Sequence, residues 1–119
     1  MANIRMSRVN GELQKAIADV ISNRLNNPKL ESLIISIVGV NTAPDLSIAK
    51  VSVSVLSTDE TKKMVVDELN HAKNFIRREV MRMIRLRTIP EFIFNLDDSY
   101  EKGQKIMNLI DSVSSQNKE

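Results

Sequence analysis

The sequence predicts an α+β fold: a three-stranded sheet covered by helices on one face, in the order α-β-β-α-α-β, plus a short C-terminal helix. Three observations predict it. Apolar residues recur at three- and four-residue spacing over residues 5–25 and again over residues 57–86. Between these stretches lie two short β-branched runs joined by a proline-containing turn. A third short run, led by Pro90, follows the second helical stretch.

The first helix is carried by Val9, Leu13, Ala16, Ile17, Val20 and Ile21, with Arg5, Arg8, Glu12, Lys15 and Asp19 on its polar stripe. Asn26-Asn27-Pro28 ends it, because proline excludes the residue before it from helical geometry. Leu33 to Val40 is apolar on both faces and too short for a typical helix, so it reads as a central strand. Pro44-Asp45 supplies a turn. Beyond it Ala49, Val51, Val53 and Val55 alternate with Lys50, Ser52 and Ser54, the pattern of a half-buried strand hairpinned to the first.

Ser57 and Glu60 have the spacing of a capping box, and Val65, Leu69, Ala72, Ile76, Val80 and Met83 keep helical spacing to Leu86. One straight helix of about 28 residues would be about 42 Å long, whereas a domain of this size is about 35 Å across. A break is therefore expected at Ala72-Lys73-Asn74, with Asn74 leaving right-handed geometry. Phe92, Phe94 and Leu96 then face the core from the last strand. Asp98 and Glu101 resemble a helix start ahead of Ile106, Leu109, Ile110 and Val113, with Gly103 inside the helix. Residues 1–113 are expected to form one domain, and 114–119 a disordered polar tail.

Composition excludes several classes of function. The 119 residues include no cysteine, so disulfides, a thiol nucleophile and thiolate metal sites are out, and there is no run apolar enough to span a membrane. No secretory signal pattern is read at the start of the chain, so the cytoplasm is the expected location. The net charge of +2 conceals a strong asymmetry: Lys73, Arg77, Arg78, Arg82, Arg85 and Arg87 face a single acid, Glu79, within residues 73–87. Read as continuous helix, Arg78, Arg82 and Arg85 form one ridge, with Lys73 and Arg77 beside it. A cationic face of this kind suits phosphate oxygens, which guanidinium meets bidentately. The plain alternative is a solvated helix face, which normally mixes both signs of charge.

Taken in order, Arg5 to Val9, Asp45-Leu46, Ala49 to Leu56, Phe75-Ile76-Arg77, Leu86 to Phe94 and Asp97 to Gly103 resemble the ribosome-binding factor A family over nearly the whole chain. The resemblance implies a type II KH-like fold. It also implies a monomeric, non-catalytic assembly factor that binds the free small (30S) ribosomal subunit and its 16S rRNA during late maturation. That role includes 5′-end processing and matters most in the cold. No nucleophile–base pair, metal-ligand cluster or nucleotide-binding glycine loop is visible in the sequence, so no cofactor, metal or small-molecule substrate is expected. From the charge distribution, the expected RNA contacts are Arg5, Arg8, Lys73, Arg77, Arg78, Arg82, Arg85 and Arg87. The family carries an Ala-x-Gly kink between its second and third helices, and here Asn74 stands in place of the glycine.

Other chemistry is weaker in the residues themselves. Asp97, Asp98 and Glu101 could hold Mg²⁺, but carboxylates at a helix start are also ordinary caps. His71 is the only histidine and reads as a helix-surface residue, while Ser52 and Ser54 point outward from a strand. Tyr100 and three phenylalanines are too few for a base-stacking platform. The alternative class is a protein-interaction module docking its basic helix on an acidic partner, with a nuclease a more distant reading.

Overall fold

The computed structural model describes residues 2–97. The order is α1 (Ala2–Asp19), which runs into a π-helical turn (Val20–Arg24), then β1 (Ile35–Thr42), β2 (Ile48–Val55), α2 (Asp59–His71), α3 (Lys73–Met83) and β3 (Glu91–Leu96). The α-β-β-α-α-β order and the three-stranded sheet of the sequence reading are therefore those of the molecule. The C-terminal helix, with Asp98, Glu101 and Gly103, and the 114–119 tail lie outside the described residues.

β2, not β1, is the central strand. β1 pairs with β2 antiparallel, and β3 lies on the other side of β2, parallel to it. The apolar character of Leu33 to Val40 on both faces misleads because Ile34 and Val38 remain 65% and 49% exposed instead of meeting a second layer. A bulge between Ile37 and Gly39 shifts the β1 register. The β1–β2 turn holds Leu46 at φ 62, the one positive-φ residue other than glycine among the described residues. There Asp45 accepts hydrogen bonds from the Ser47 backbone N–H and hydroxyl at 3.0 and 2.6 Å, and these hold its carboxyl below the ordinary carboxylate range.

Alternation puts Ala49, Val51, Val53 and Val55 of β2 and Phe92 and Phe94 of β3 on one face, all buried. Leu13, Ala16, Ile17 and Val20 from α1 and its turn, Val65 and Leu69 from α2, and Ile76 and Val80 from α3 complete the same core. The helices thus cover one face of the sheet, and Lys50 and Ser54 lie on the other. Phe92 and Phe94 meet edge to face, with centroids 6.4 Å apart.

Side-chain amides bond backbone groups on both sheet edges. Odd-numbered positions around β3 donate inward, as in Glu91 N–H to the Ser47 carbonyl and Asp97 N–H to the Val53 carbonyl. The Phe94 N–H and carbonyl consequently face outward. Asn70 of α2 meets both, accepting from the N–H at 2.9 Å and donating to the carbonyl at 3.0 Å. On β1, Asn10 accepts from the Thr42 N–H at 3.1 Å and Gln14 donates to the Ile37 carbonyl at 2.9 Å. These four backbone groups are therefore not free to pair with another strand.

The cap of α2 is Thr58, whose hydroxyl accepts from the Thr61 N–H at 3.3 Å, rather than Ser57 with Glu60. The break between α2 and α3 falls at Ala72, with φ −91 and ψ 4. Its N–H still bonds back to Glu68 and its carbonyl accepts from Ile76, so one residue in the bridge region makes the joint. Asn74 lies inside α3 without positive φ, contrary to the expectation from its sequence. Neither glycine nor asparagine is needed, because the bridge conformation is open to an ordinary L-residue.

Replacing Asn70 with alanine strands two part-buried backbone groups, and the expected loss is about 1–3 kcal/mol in the free energy of denaturant unfolding. A loss below about 0.5 kcal/mol, the scatter of neutral surface changes, would contradict the edge-closing role.

Candidate nucleic-acid interface

The predicted cations divide into two sets. α3 ends at Met83, and Ile84 is extended at φ −126 and ψ 144. Arg85 and Arg87 therefore lie beyond the helix, and the ridge of Arg78, Arg82 and Arg85 does not exist as predicted. The cause is tertiary: Ile84 and Leu86 both pack against the core, and only a period of two lets residues two apart share a face. The same alternation leaves Arg85 and Arg87 exposed.

Arg77 is a structural residue in this arrangement. Its Nε and Nη2 both donate to the Ile89 carbonyl, at 3.1 and 2.8 Å, which fastens α3 to the segment entering β3. Lys73 pairs with Glu91 at 3.3 Å across the same junction. Arg8 lies 4.0 Å from Glu12, one turn along α1. Arg5, Arg78, Arg85 and Arg87 are exposed and form no ion pair among the described residues. Arg82 is 76% exposed and lies 3.4 Å from Glu79.

Packing adds two cations that periodicity on a single helix could not connect. α1 lies against α3, and Glu12, Lys15 and Ala16 share a shallow cleft with Met83 and Ile84. At the other end of the contact, Arg24 reaches Glu79 at 3.6 Å. Lys15 and Arg24 thus join Arg78 and Arg82 along the α1–α3 seam, which continues into Arg85 and Arg87. The signal in the sequence was the +3 charge of residues 1–30, but nothing local joins that charge to residues 73–87.

This seam can hold phosphates. Guanidinium groups stay charged at any physiological pH and offer paired donors, and the Arg82 guanidinium remains open to solvent beside Glu79. Among the described residues, no group of three or more His, Asp or Glu side chains could hold a metal ion, and Asp98 and Glu101 of the proposed acidic cluster lie outside them. His71 is exposed in the last turn of α2. No described helix is long and apolar enough to cross a membrane.

Residues 5–110 match the family described as Ribosome-binding factor A. A protein of that name from Acetivibrio thermocellus is 45% identical over 114 residues, covering 96% of this chain and 92% of its own. A crystal structure of ribosome-binding factor A from Thermus thermophilus superposes with a TM-score of 0.66 at 22% identity, over 76% of this chain and 93% of that one. Coordinates of a Thermus thermophilus ribosome binding factor A homology model, as fitted into the cryo-EM map of its 30S complex, superpose with a TM-score of 0.60 at 21% identity. They cover 75% of this chain and 91% of the other.

Removing Arg77 and removing Arg78 are expected to do different things. Arg77→Ala leaves the buried Ile89 carbonyl without its donor and should cost about 2 kcal/mol of stability. Arg78→Glu combined with Arg85→Glu should leave the unfolding midpoint within a degree or two and abolish polyanion binding. Denaturant titration and RNA retention on a filter read the two effects, and a double charge reversal that binds RNA normally would refute the assignment.

Proposed function

The chain belongs to the ribosome-binding factor A family, and from that premise we propose that it binds the small (30S) ribosomal subunit through 16S rRNA phosphates during late maturation. The observation that carries the reading is the α1–α3 seam. There Arg78, Arg85 and Arg87 are exposed with no ion pair among the described residues, and Lys15, Arg24 and Arg82 flank them. The name of the relatives supplies the ribosome, and the 30S complex of the fitted Thermus thermophilus coordinates supplies the subunit.

In this reading the protein acts by binding alone. Arginines on a seam a few turns long bridge phosphates from rRNA segments that are not yet in their final places, holding them in an immature arrangement. Phosphate contacts fix position without reading sequence, so the target is chosen by the shape and spacing of the RNA backbone. When the final RNA fold forms, its own contacts compete for the same segments and the factor leaves. It works in the cytoplasm as a monomer, and 16S 5′-end maturation proceeds efficiently only while it is present. Cold raises the demand, because mispaired RNA helices rearrange more slowly.

Sedimentation of a cell extract provides the test. The protein should travel with free small subunits and be absent from translating ribosomes. A deletion strain grown in the cold should accumulate free subunits carrying unprocessed 16S 5′ ends. Normal rRNA processing and a normal ribosome profile at low temperature would refute the proposal.

A further inference from the structure

The end of α1 is wound as a π-helical turn, Val20–Arg24, closed by the Leu25 N–H donating to the Val20 carbonyl at 2.7 Å. Such wide turns are uncommon and concentrate at functional sites. In a regular α-helix Arg24 would follow Val20 by four residues and Ile17 by seven, on the buried stripe; the extra residue of the wide turn rotates it off that stripe, and its guanidinium reaches α3. Arg24 meets two carboxylates there, Asp19 at 3.7 Å and Glu79 at 3.6 Å.

The same Glu79 oxygen, Oε2, also lies 3.4 Å from Nη1 of Arg82. One anionic oxygen thus sits between two guanidinium groups from different helices, in a side chain only 16% exposed. Arg78 and Phe75 line the adjoining depression together with Glu79 and Arg82. Two arginines on either side of one oxygen is the arrangement a phosphate oxygen would take. The distances are long for charge-assisted bonds, which run at about 2.7–2.9 Å, so the carboxylate occupies the position without filling it well.

Resting on the polyanion reading above, we infer that Arg24, Arg82 and Arg78 form a seat for one backbone phosphate, with Glu79 as its resting occupant. An incoming phosphate takes over the guanidinium donors of Arg24 and Arg82 that face Glu79, and Arg78 adds a third cation from the rim. Glu79 keeps the two arginines apart and oriented when no RNA is bound, and it lowers the affinity of the empty seat for passing anions. Arg24 is a contact residue on this account, and Glu79 tunes the contact.

The full-length protein tests this by a double-mutant cycle on Arg24→Gln and Glu79→Gln, read as affinity against salt for purified small subunits and for a generic RNA duplex. Arg24→Gln should weaken binding about fivefold and lower the slope of log affinity against log salt by about 0.7–0.9, the value of one lost phosphate contact. Glu79→Gln, which is isosteric and can still accept from both arginines, should tighten binding. The loss on removing Arg24 should be larger in the Glu79→Gln background than in the wild type, because the seat is then unopposed. Thermal unfolding should be unchanged in all three variants. An unchanged salt slope for Arg24→Gln, or strictly additive effects, would overturn the seat. If the wild type binds the duplex but not small subunits, the ribosomal reading fails while the duplex data still decide the seat; if it binds neither, both fail.

Discussion

A parallel strand must be entered from the far end of its neighbour, and the layout of this molecule follows from that constraint. β2 ends at Val55, whereas β3 begins at Glu91 beside Ile48, at the start of β2. Residues 56–90 have to carry the chain back along the whole strand, about 26 Å for eight residues at 3.3 Å each. α2 and α3 together hold 24 helical residues and, laid end to end, would measure about 36 Å. The excess is absorbed by the joint at Ala72 and by ending α3 at Met83, where Ile84 and Leu86 turn to the core. The fastenings lie where the return path meets the sheet: Arg77 on the Ile89 carbonyl, Lys73 on Glu91 and Asn70 on Phe94.

The same path sorts the arginines. Those facing the sheet are consumed by it, because a buried carbonyl left without a donor costs more than an exposed ion pair returns. Those turned away are left with their charge. What would be a uniform basic helix in a continuous geometry becomes a seam shared with α1, with charge contributed by a helix more than 50 residues away in sequence. The opposite side of the sheet carries Lys50 as its only cation among the described residues of β1, β2 and β3.

Much of the fold was legible because it is written in local periodicity. The alternation of Ala49 to Val55, the helical spacing of Val9 to Ile21 and of Val65 to Val80, and the inward Phe92 and Phe94 all appear in the structure. What periodicity could not carry was the choice among neighbours. Leu33 to Val40 looked central because exposed Ile34 and Val38 have the same composition as buried residues. Arg85 looked helical because Ile84 and Leu86 fit either period until the core claims both. Asn74 looked like the break because propensity names the residue most tolerant of a left-handed turn, whereas the joint uses a bridge conformation that Ala72 reaches without strain. The basic character of residues 73–87 was plain, but its division into fasteners and free cations was not. That division depends on a carbonyl twelve residues downstream of Arg77.

On the proposed reading rRNA meets the α1–α3 seam and not the open face of the sheet. Photo-crosslinking from defined positions tests it most directly. A photoreactive side chain placed at Arg78 or Arg85, with the protein bound to small subunits, should yield adducts to 16S rRNA, and one placed at Ser52 on the open face should yield none. Adducts concentrated at Ser52, or crosslinks from Arg78 and Arg85 to protein alone, would contradict the account.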